Sequence, residues 1–327
     1  MSKHPYEKLT PDLVIRAVES LGYEPDARIF GLNSYENRVY QVGISNESFL
    51  IVKFYRPGRW TIGQILEEHQ FSQELSDLEV PVISPIILNE KSIFEFEGFQ
   101  LALFPMFFGR PLELDTYKNL LVMGRFIARI HSVGAEASFL DRLEINVDRF
   151  AVQSREFLLR NDFIPPDLIA AYETLSQDLI FRIESCFSGH GSIKKLRIHG
   201  DCHSGNVLWK DNAPNFVDFD DTINGPAIQD LWMMLSGSRD QRQAQLLELL
   251  KGYNEFYRFP TSELSLIESL RTLRIMNYSA WLARRWADPA FPRNFPWFNS
   301  VRYWSEHILQ LREQLSALDE PPLEALM

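Results

Sequence analysis

The chain has 327 residues, more than a typical single domain, so two lobes that share a cleft are expected. Hydrophobic residues make up 45% and charged residues 24%, which is typical of a globular protein. The 33 Lys and Arg residues against 44 Asp and Glu residues give a net charge of −11, which offers nucleic acid no broad basic surface. We therefore expect no nucleic-acid partner.

Two further features indicate where the protein works. The N-terminal residues contain no apolar signal segment, and the longest uncharged apolar-rich stretch, residues 98–109, is too short to span a bilayer. Only Cys186 and Cys202 are present, which cannot build a disulfide framework and fits a reducing compartment. The sequence predicts a cytoplasmic protein with no membrane partner.

The first third of the chain has the pattern of an α+β unit. Apolar residues at helical spacing predict two helices, and runs rich in β-branched and aromatic residues predict four strands. A turn over 43–47 is expected between the first two strands. The helices are predicted over 9–21 and 61–78, and the strands over 38–42, 48–54, 86–88 and 99–104.

The remainder has a mostly helical pattern. Gly109 and Pro111 mark a linker, so we place the lobe boundary near residue 107, which divides the chain into 1–106 and 107–327. The predicted fold class is α+β, with a small β-rich N-terminal lobe and a larger, mostly helical C-terminal lobe. Helices are predicted over 119–131, 166–187, 241–258, 263–286 and 301–318, and short strands over 196–199, 207–209 and 215–219.

A polar loop between two of these short strands carries the first chemical motif. Residues 199–206 read His-Gly-Asp-Cys-His-Ser-Gly-Asn, which places Asp201 and Asn206 five positions apart directly before an apolar strand. Protein kinases have this spacing in their catalytic loop. Asp201 suits the group that orients an acceptor hydroxyl and takes its proton. Asn206 suits a neutral oxygen ligand for Mg²⁺.

A second acidic loop follows at a distance that a hairpin can span. Asp218 comes 12 residues after Asn206, so an intervening hairpin can return it to the first loop. Its carboxylate would then bridge Mg²⁺ to the phosphates of ATP, as a catalytic and metal-binding residue. Asp220 and Asp221 are either secondary ligands or a solvated acidic turn, and for Asp221 we favour the turn.

The first lobe offers a cation for the phosphates. Lys53 ends an Ile-Val-Lys run inside a predicted strand, similar to the Val-Ala-Ile-Lys strand of kinases, where lysine binds the α- and β-phosphates and pairs with a helix glutamate. Of Glu67 and Glu68 on the following helix, Glu68 is the better candidate partner. A buried lysine needs such a partner because an isolated buried charge is costly.

Other residues have simpler explanations. A zinc or phosphohydrolase metal site at His199 and His203 is conceivable, but zinc sites usually need three or four spaced ligands, so His199 is better interpreted as support for the loop. We expect Cys202 to be structural and the aromatic segment 286–297 to pack against helices. Arg284 and Arg285 could recognise an acidic substrate, although cations are expected near the end of a helix.

Taken together, residues 199–206 and the Phe-Val-Asp-Phe-Asp-Asp run at 216–221 resemble the aminoglycoside phosphotransferase and choline kinase group. Residues 32–40, 52–57, 66–71 and 286–292 resemble, more narrowly, a bacterial family of stress-response kinases within it. This resemblance implies a two-lobed protein-kinase-like fold, with 1–106 as the nucleotide-binding lobe and 107–327 as the catalytic and substrate lobe. It implies a monomeric Ser/Thr protein kinase that autophosphorylates, uses ATP and Mg²⁺ and supports survival under stress. It implies roles in these positions: Asp201 as proton acceptor, Asn206 and Asp218 on magnesium, Ser34 in the loop over ATP, and Met106 at the nucleotide.

The sequence also departs from ordinary protein kinases. Residues 31–42 contain no G-x-G-x-x-G, so backbone amides with Ser34 and Asn37 would have to hold the phosphates. No Ala-Pro-Glu segment follows Asp218, which leaves the peptide-binding platform without a sequence signal. A small-molecule kinase therefore stays open as an alternative. A non-catalytic nucleotide-binding scaffold is the third, against which the intact Asp201, Asn206 and Asp218 argue.

Overall fold

The computed structural model describes residues 4–45, 48–114, 117–189, 191 and 193–325. Its first part is built on a five-stranded antiparallel sheet. In sheet order the strands are β1 (Pro25–Gly31), β2 (Arg38–Ile44), β3 (Ser48–Phe54), β5 (Phe99–Pro105) and β4 (Phe94–Phe96).

The two faces of this sheet take different helices. Helix α1 (Pro11–Ser20) is capped by Thr10 and packs its apolar side with Val52 and Phe54 in one core cluster. Successive side chains of a strand point to opposite faces, so Lys53 lies on the other face. That face carries a smaller cluster with Ile65 of α2 (Ile62–Asp77). The alternation in β3 therefore directs Lys53 away from α1 and toward α2.

The remainder of the chain is mainly helical, as predicted. Strand β6 (Arg110–Pro111), just after the predicted lobe boundary, pairs with a strand of this second part; the division of the chain at residue 107 stays a prediction. The helices are α3 (Tyr117–Gly134), α4 (Gln153–Arg160), α5 (Pro166–Gly189), α6 (Ile228–Trp232), α7 (Arg239–Tyr253), α8 (Ile267–Arg285), α9 (Ala290–Asn294) and α10 (Val301–Ala317).

Short strands interrupt the helices where the polar loops lie. They are β7 (Leu196–Ile198), β8 (Val207–Lys210), β9 (Ala213–Phe216) and β10 (Ile223–Gly225), arranged as a β7–β10 pair and a β6–β8–β9 sheet. One large core cluster underlies them and joins α3, α7, α8 and α10. Among the described residues no helix is both long enough and apolar enough to cross a bilayer.

Most predicted elements are present, and the α+β, kinase-like fold class is confirmed. The strand predicted over 86–88 is wrong: Leu88 makes only an isolated bridge with Lys91, and the edge strand is β4 instead. Glu97 and Gly98, both with positive φ, form the two-residue turn that joins β4 to β5. The turn predicted over 43–47 begins too early, because Gly43 and Ile44 belong to β2 and pair with β3. Residues 46 and 47 lie outside the described residues.

Two boundaries moved for local reasons. The strand predicted over 215–219 ends at Phe216, because Asp218 has the left-handed φ of 59°, which no strand accommodates. The helix predicted over 263–286 begins at Ile267, after a 3₁₀ turn over Thr261–Leu266. The helix predicted over 241–258 ends at Tyr253. Besides β4, the α-helices and strands that were not predicted are β1, β6, β10, α4, α6 and α9.

Candidate active site

The two polar loops meet because a hairpin folds the second back onto the first. Strands β8 and β9 pair Val207 with Phe216, and the Val217 amide then donates to the Asn206 carbonyl at 3.0 Å. Asp218 is the next residue, so it emerges beside Asn206. The hairpin that the 12-residue spacing predicted is therefore present.

Asp201 and Asn206 are joined within the first loop. The Asn206 Nδ2 group donates to the Asp201 carbonyl at 3.0 Å and to its carboxylate at 3.3 Å. This holds the amide nitrogen toward Asp201, and the amide oxygen is the end available to a cation. The Asp201 carboxylate also contacts the Arg274 guanidinium at 2.6 Å and His203 at 3.4 Å.

Asp230, in α6, anchors the first loop, residues 199–206, through its carboxylate. Its buried carboxylate accepts from the His199 and Gly200 amides at 2.8 and 2.9 Å and contacts His131 Nε2 at 3.0 Å. Gly200 is required here: its φ is 83°, and an added Cβ would lie 2.3 Å from the Asp221 carbonyl oxygen. The loop backbone is thus fixed by one carboxylate that sequence reasoning did not single out.

His199 supports the loops, as predicted. It is fully buried, and its Nε2 donates to the Val217 carbonyl at 3.0 Å, which ties the first loop to the second. In the described part of the chain, no three His, Cys, Asp or Glu side chains converge as a metal-ligand group. With its Nε2 engaged by backbone, His199 is poorly placed to serve a zinc ion with His203.

We predict that Asp230→Asn lowers the free energy of unfolding by about 1–3 kcal/mol, because one of two buried amides then faces an NH₂ group instead of an acceptor. Phosphoryl transfer should slow as well, since the Asp201 backbone loses its anchor. Urea denaturation and steady-state assays measure both. Asp178→Asn, an exposed position in α5, should change neither; an equal effect in both variants would contradict the anchoring role.

Lys53 lies at the centre of a buried charge cluster. Its Nζ is 3.1 Å from Glu68, 3.1 Å from Asp220 and 3.5 Å from Asp218. Burial alone would lower the pKa of Lys53, but Asp220 and Glu68 outweigh it and hold that pKa well above its usual value. The lysine is therefore charged and faces the second loop.

Two arginines complete the cluster. Arg142 pairs with Glu68 at 3.0 Å, and Arg59 pairs with Asp220. Asp220 is thus a buried ionic partner of Lys53 rather than a solvated turn. Asp221, by contrast, is half exposed and pairs with Arg59 at the surface, in line with the favoured turn interpretation. Glu67 accepts from the Leu140, Asp141 and Arg142 amides and does not reach Lys53.

Asp218 has the character expected of a ligand for a hard cation. Its side chain is 53% exposed, in contrast to the buried Asp220, and its left-handed backbone turns it out of the hairpin. A carboxylate and an amide oxygen from adjacent loops form the oxygen-only donor set that Mg²⁺ prefers. The residues present therefore fit magnesium.

The loop between β1 and β2, residues 32–37, is less clearly a phosphate-binding site. Ser34 Oγ donates weakly to the Asn37 carbonyl at 3.3 Å and is partly exposed. Asn37 is buried, and its amide oxygen accepts from the Arg56 amide at 3.1 Å, so its side chain shapes the loop instead of reaching outward. Met106 is partly buried directly after β5. The nucleotide roles of Ser34 and Met106 stay predictions.

This loop is tied to the helical part by ion pairs. Glu36 accepts from Arg285 at 2.7 Å and from the Trp281 indole at 2.6 Å, both on α8. Arg56 contacts Asp288 at 2.6 Å, and both side chains are buried. The 34–37 loop is thus held to α8 and to the segment after it.

We predict that Asp288→Asn lowers the free energy of unfolding by about 1–3 kcal/mol, because the buried Arg56 then keeps only Glu36, at 3.2 Å, as a carboxylate partner. The KM for ATP should rise because the 34–37 loop is then held to the helical part only through Glu36. The matched control is Asp319→Asn, which breaks an exposed pair with Arg182 and should cost below about 1 kcal/mol. Similar costs for the two variants would contradict the interpretation.

A cleft of about 590 Å³ opens beside Asp201. Gly58 to Trp60 of the first part and α8 of the second contribute to its wall. Asp201 lies on this wall, whereas Lys53, Asn206 and Asp218 do not contribute to it. We refer to it as the Asp201 cleft. Arg59, which pairs with Asp220 of the Lys53 cluster, also lines this cleft, so the cleft adjoins that cluster.

His203 and Arg274 both favour the ionised form of Asp201. Burial alone would raise the pKa of Asp201, but the hydrogen bond with His203 and the Arg274 guanidinium hold it well below its ordinary value of 3.8. A base must be ionised to act, so its activity disappears as pH falls through its pKa. We predict that Arg274→Gln raises this pKa and moves the acid limb of the kcat profile to higher pH. Arg271→Gln, one turn earlier on α8, should leave the limb in place; an unmoved limb in Arg274→Gln would contradict this.

Comparison with known proteins identifies the family of this chain. Residues 29–264 match the phosphotransferase enzyme family. Stress response kinase A of Escherichia coli (strain K12) is 42% identical over 319 residues, which cover 98% of this chain and 96% of that protein. The serine/threonine protein kinase RdoA of Salmonella typhimurium is 40% identical over the same shares. The chain belongs to the phosphotransferase enzyme family, and the resemblance recognised in its motifs is confirmed.

Solved structures agree on the fold. The amicoumacin kinase hAmiN, in complex with AMP-PNP, Ca²⁺ and Ami, has a TM-score of 0.74 at 18% identity and covers 97% of this chain and 95% of its own. A microcompartment-associated aminopropanol kinase has a TM-score of 0.71 at 18% identity, with 93% and 98% covered. The prediction of a kinase is confirmed at the level of the family.

Proposed function

We propose that the protein is an ATP- and Mg²⁺-dependent Ser/Thr protein kinase that acts in the cytoplasm as a monomer, autophosphorylates and contributes to a stress response. The arrangement of Asp201, Asn206 and Asp218 around one hairpin, opposite the Lys53–Glu68 pair, carries the proposal. The names of the two protein relatives support the protein acceptor and the stress response.

Each residue has one role in this proposal. Lys53 binds the α- and β-phosphates and keeps its charge through Glu68 and Asp220. Asp218 and Asn206 supply oxygen ligands for Mg²⁺, which when bound neutralises charge on the phosphates. Asp201 orients the acceptor hydroxyl and accepts its proton as transfer proceeds. Ser34 and Met106 contact the nucleotide from the loop and from the segment after β5.

A small-molecule kinase is the second candidate, and two observations favour it. The structural neighbours include kinases named for amicoumacin and aminopropanol, and the Asp201 cleft has the volume of a small-molecule site. The relatives at 40–42% identity favour a protein acceptor instead.

An assay with γ-labelled ATP separates the two. The purified protein is incubated with ATP and Mg²⁺, with a generic protein substrate in one series and a panel of amino alcohols and sugars in another. We expect label on Ser or Thr of the protein itself or of the substrate. Label on a metabolite alone would establish the second candidate, and ATP binding with no transfer would indicate a scaffold.

A further inference from the structure

The Asp201 cleft has a charge opposite to that of the protein as a whole. The chain carries a net charge of −11, yet five arginines and only two carboxylates, Asp201 and Asp221, line this cleft. No lysine contributes to the lining. The arginines are Arg59, Arg149, Arg274, Arg284 and Arg285. A local excess of positive charge in an acidic protein calls for a specific explanation.

Three of these arginines are neutralised by the protein itself. Arg274 contacts Asp201, Arg59 pairs with the two carboxylates at 220 and 221, and Arg285 contacts Glu36. The positive charge of these three arginines is therefore neutralised by carboxylates of the protein, and their role is structural.

Arg149 and Arg284 are different. Within the described ranges, neither forms an ion pair with a carboxylate. Arg284 donates to the Gln153 carbonyl at 3.2 Å and lies over the Phe157 ring. Partial burial lowers the pKa of each, and neighbouring arginines lower it further: Arg59 acts on Arg149, where Asp221 offsets only part of the shift, and Arg149 and Arg285 act on Arg284. Two cations that repel one another are thus held at one cleft.

The end of helix α8 does not account for this pair. A position in the last turn explains a cation at Arg284 through the helix dipole. Arg149 comes from the separate segment Asp148–Val152, so no such effect places it beside Arg284. An anionic ligand would offset the repulsion between Arg149 and Arg284 and would give both guanidinium groups an ion-pair partner.

The nucleotide is not that ligand. Lys53, Asn206 and Asp218, which face the phosphates in the proposed function, do not line this cleft, while Asp201 does. Because Asp201 is the proposed proton acceptor, a group bound in this cleft lies beside the acceptor hydroxyl.

We propose that Arg149 and Arg284 select the acceptor by charge, so that the preferred substrate is a Ser or Thr hydroxyl with a carboxylate or phosphoryl group close to it in the chain. This inference rests on the proposed protein-kinase function and specifies its substrate class. Arginine suits the role because its planar guanidinium binds carboxylate and phosphate oxygens in pairs. A cationic acceptor, such as an amino alcohol, would be repelled.

A peptide panel tests the proposal. Peptides of one length carry a single Ser flanked by Glu, phosphoserine analogues, Ala or Lys, and kcat/KM is measured with ATP and Mg²⁺ alongside binding by fluorescence anisotropy. We expect kcat/KM to be about tenfold higher for the acidic peptides than for the Ala peptide, the scale of two partly exposed ion pairs. The advantage should shrink as salt is raised.

Variants identify the residues responsible. The double variant Arg149→Gln/Arg284→Gln should lose the acidic preference, so that kcat/KM becomes similar for the Glu and Ala peptides. Arg160→Gln, an exposed arginine of α4 outside the cleft, should keep the preference. Equal use of acidic and neutral peptides, or a preference that survives in the double variant, would overturn the inference and leave the proposed function intact.

The binding measurement keeps the two claims apart. Acidic peptides that bind in an Arg149- and Arg284-dependent way but receive no phosphate would contradict the protein-kinase function and support the charge selection. Peptides that neither bind nor react would overturn both.

Discussion

Asp201→Asn should slow phosphoryl transfer by roughly 10² to 10⁴ while ATP affinity stays close to that of the wild type. The carboxylate lines the Asp201 cleft, and Asn206 keeps its 3.0 Å bond to the Asp201 main-chain carbonyl, so the substitution removes proton acceptance and hydroxyl orientation and leaves the proposed magnesium ligands in place. Proton transfer is late in this reaction class, which favours the lower part of the range. Single-turnover transfer rates and nucleotide titrations give the two quantities separately.

The matched control is Asp211→Asn in the β8–β9 turn. Asp211 is exposed and has a φ of 51°, which Asn tolerates, so this variant should keep full activity. Full activity in Asp201→Asn would contradict its assignment as the proton acceptor. A large loss of ATP affinity there would instead move Asp201 to the nucleotide side.

Lys53→Met should have the second large effect, on stability and nucleotide binding together. Breaking a buried ion pair by removing one partner costs about 3–5 kcal/mol. We expect about 3 kcal/mol, at the lower end of that range, because Arg142 remains beside Glu68 and Arg59 beside Asp220. ATP binding should become too weak to measure, since the phosphates lose their buried cation.

Denaturation in urea and isothermal titration with ATP and Mg²⁺ measure these effects. Lys251→Met, at an exposed position of α7, is the control and should change neither quantity. A Lys53→Met variant with unchanged stability and normal ATP affinity would show that the buried cluster has no part in nucleotide binding.

The core of the candidate site could be predicted because its spacing is local. Asp201, Asn206 and Asp218 lie within 18 residues of one another (201–218), and one hairpin brings them together. The Lys53–Glu68 pair was predictable for a similar reason, since a strand and the next helix supply both residues. Alternation along β3 then fixes which face Lys53 occupies.

The charges around the site could not be predicted in the same way. Asp230, Arg274 and Arg59 reach the loops from sites 30 to over 100 residues away, and only the tertiary fold sets these contacts. The sequence shows Asp220 and Asp221 as equivalent neighbours. Burial separates them, because the 3₁₀ turn at Phe219–Asp221 directs one inward to Lys53 and leaves the other at the surface.

The missed strands have a related explanation. Strand β1 begins with Pro25 and Asp26, and Ala27 has a φ of 67° where the register with β2 shifts, so no alternating pattern marks it. The wrong strand at 86–88 had the right composition. Its Ile86 amide does bond to the Leu103 carbonyl, but no ladder continues from that contact.

The central claim is that the chain transfers phosphate from ATP to a hydroxyl through Asp201, and mass spectrometry tests it most directly. Wild type and Asp201→Asn are incubated with ATP and Mg²⁺, and their peptides are mapped for phosphate. We predict phosphoserine or phosphothreonine in the wild type and little or none in Asp201→Asn, although both bind ATP. Equal phosphorylation of the two proteins, or ATP binding without transfer to any hydroxyl by the wild type, would contradict it.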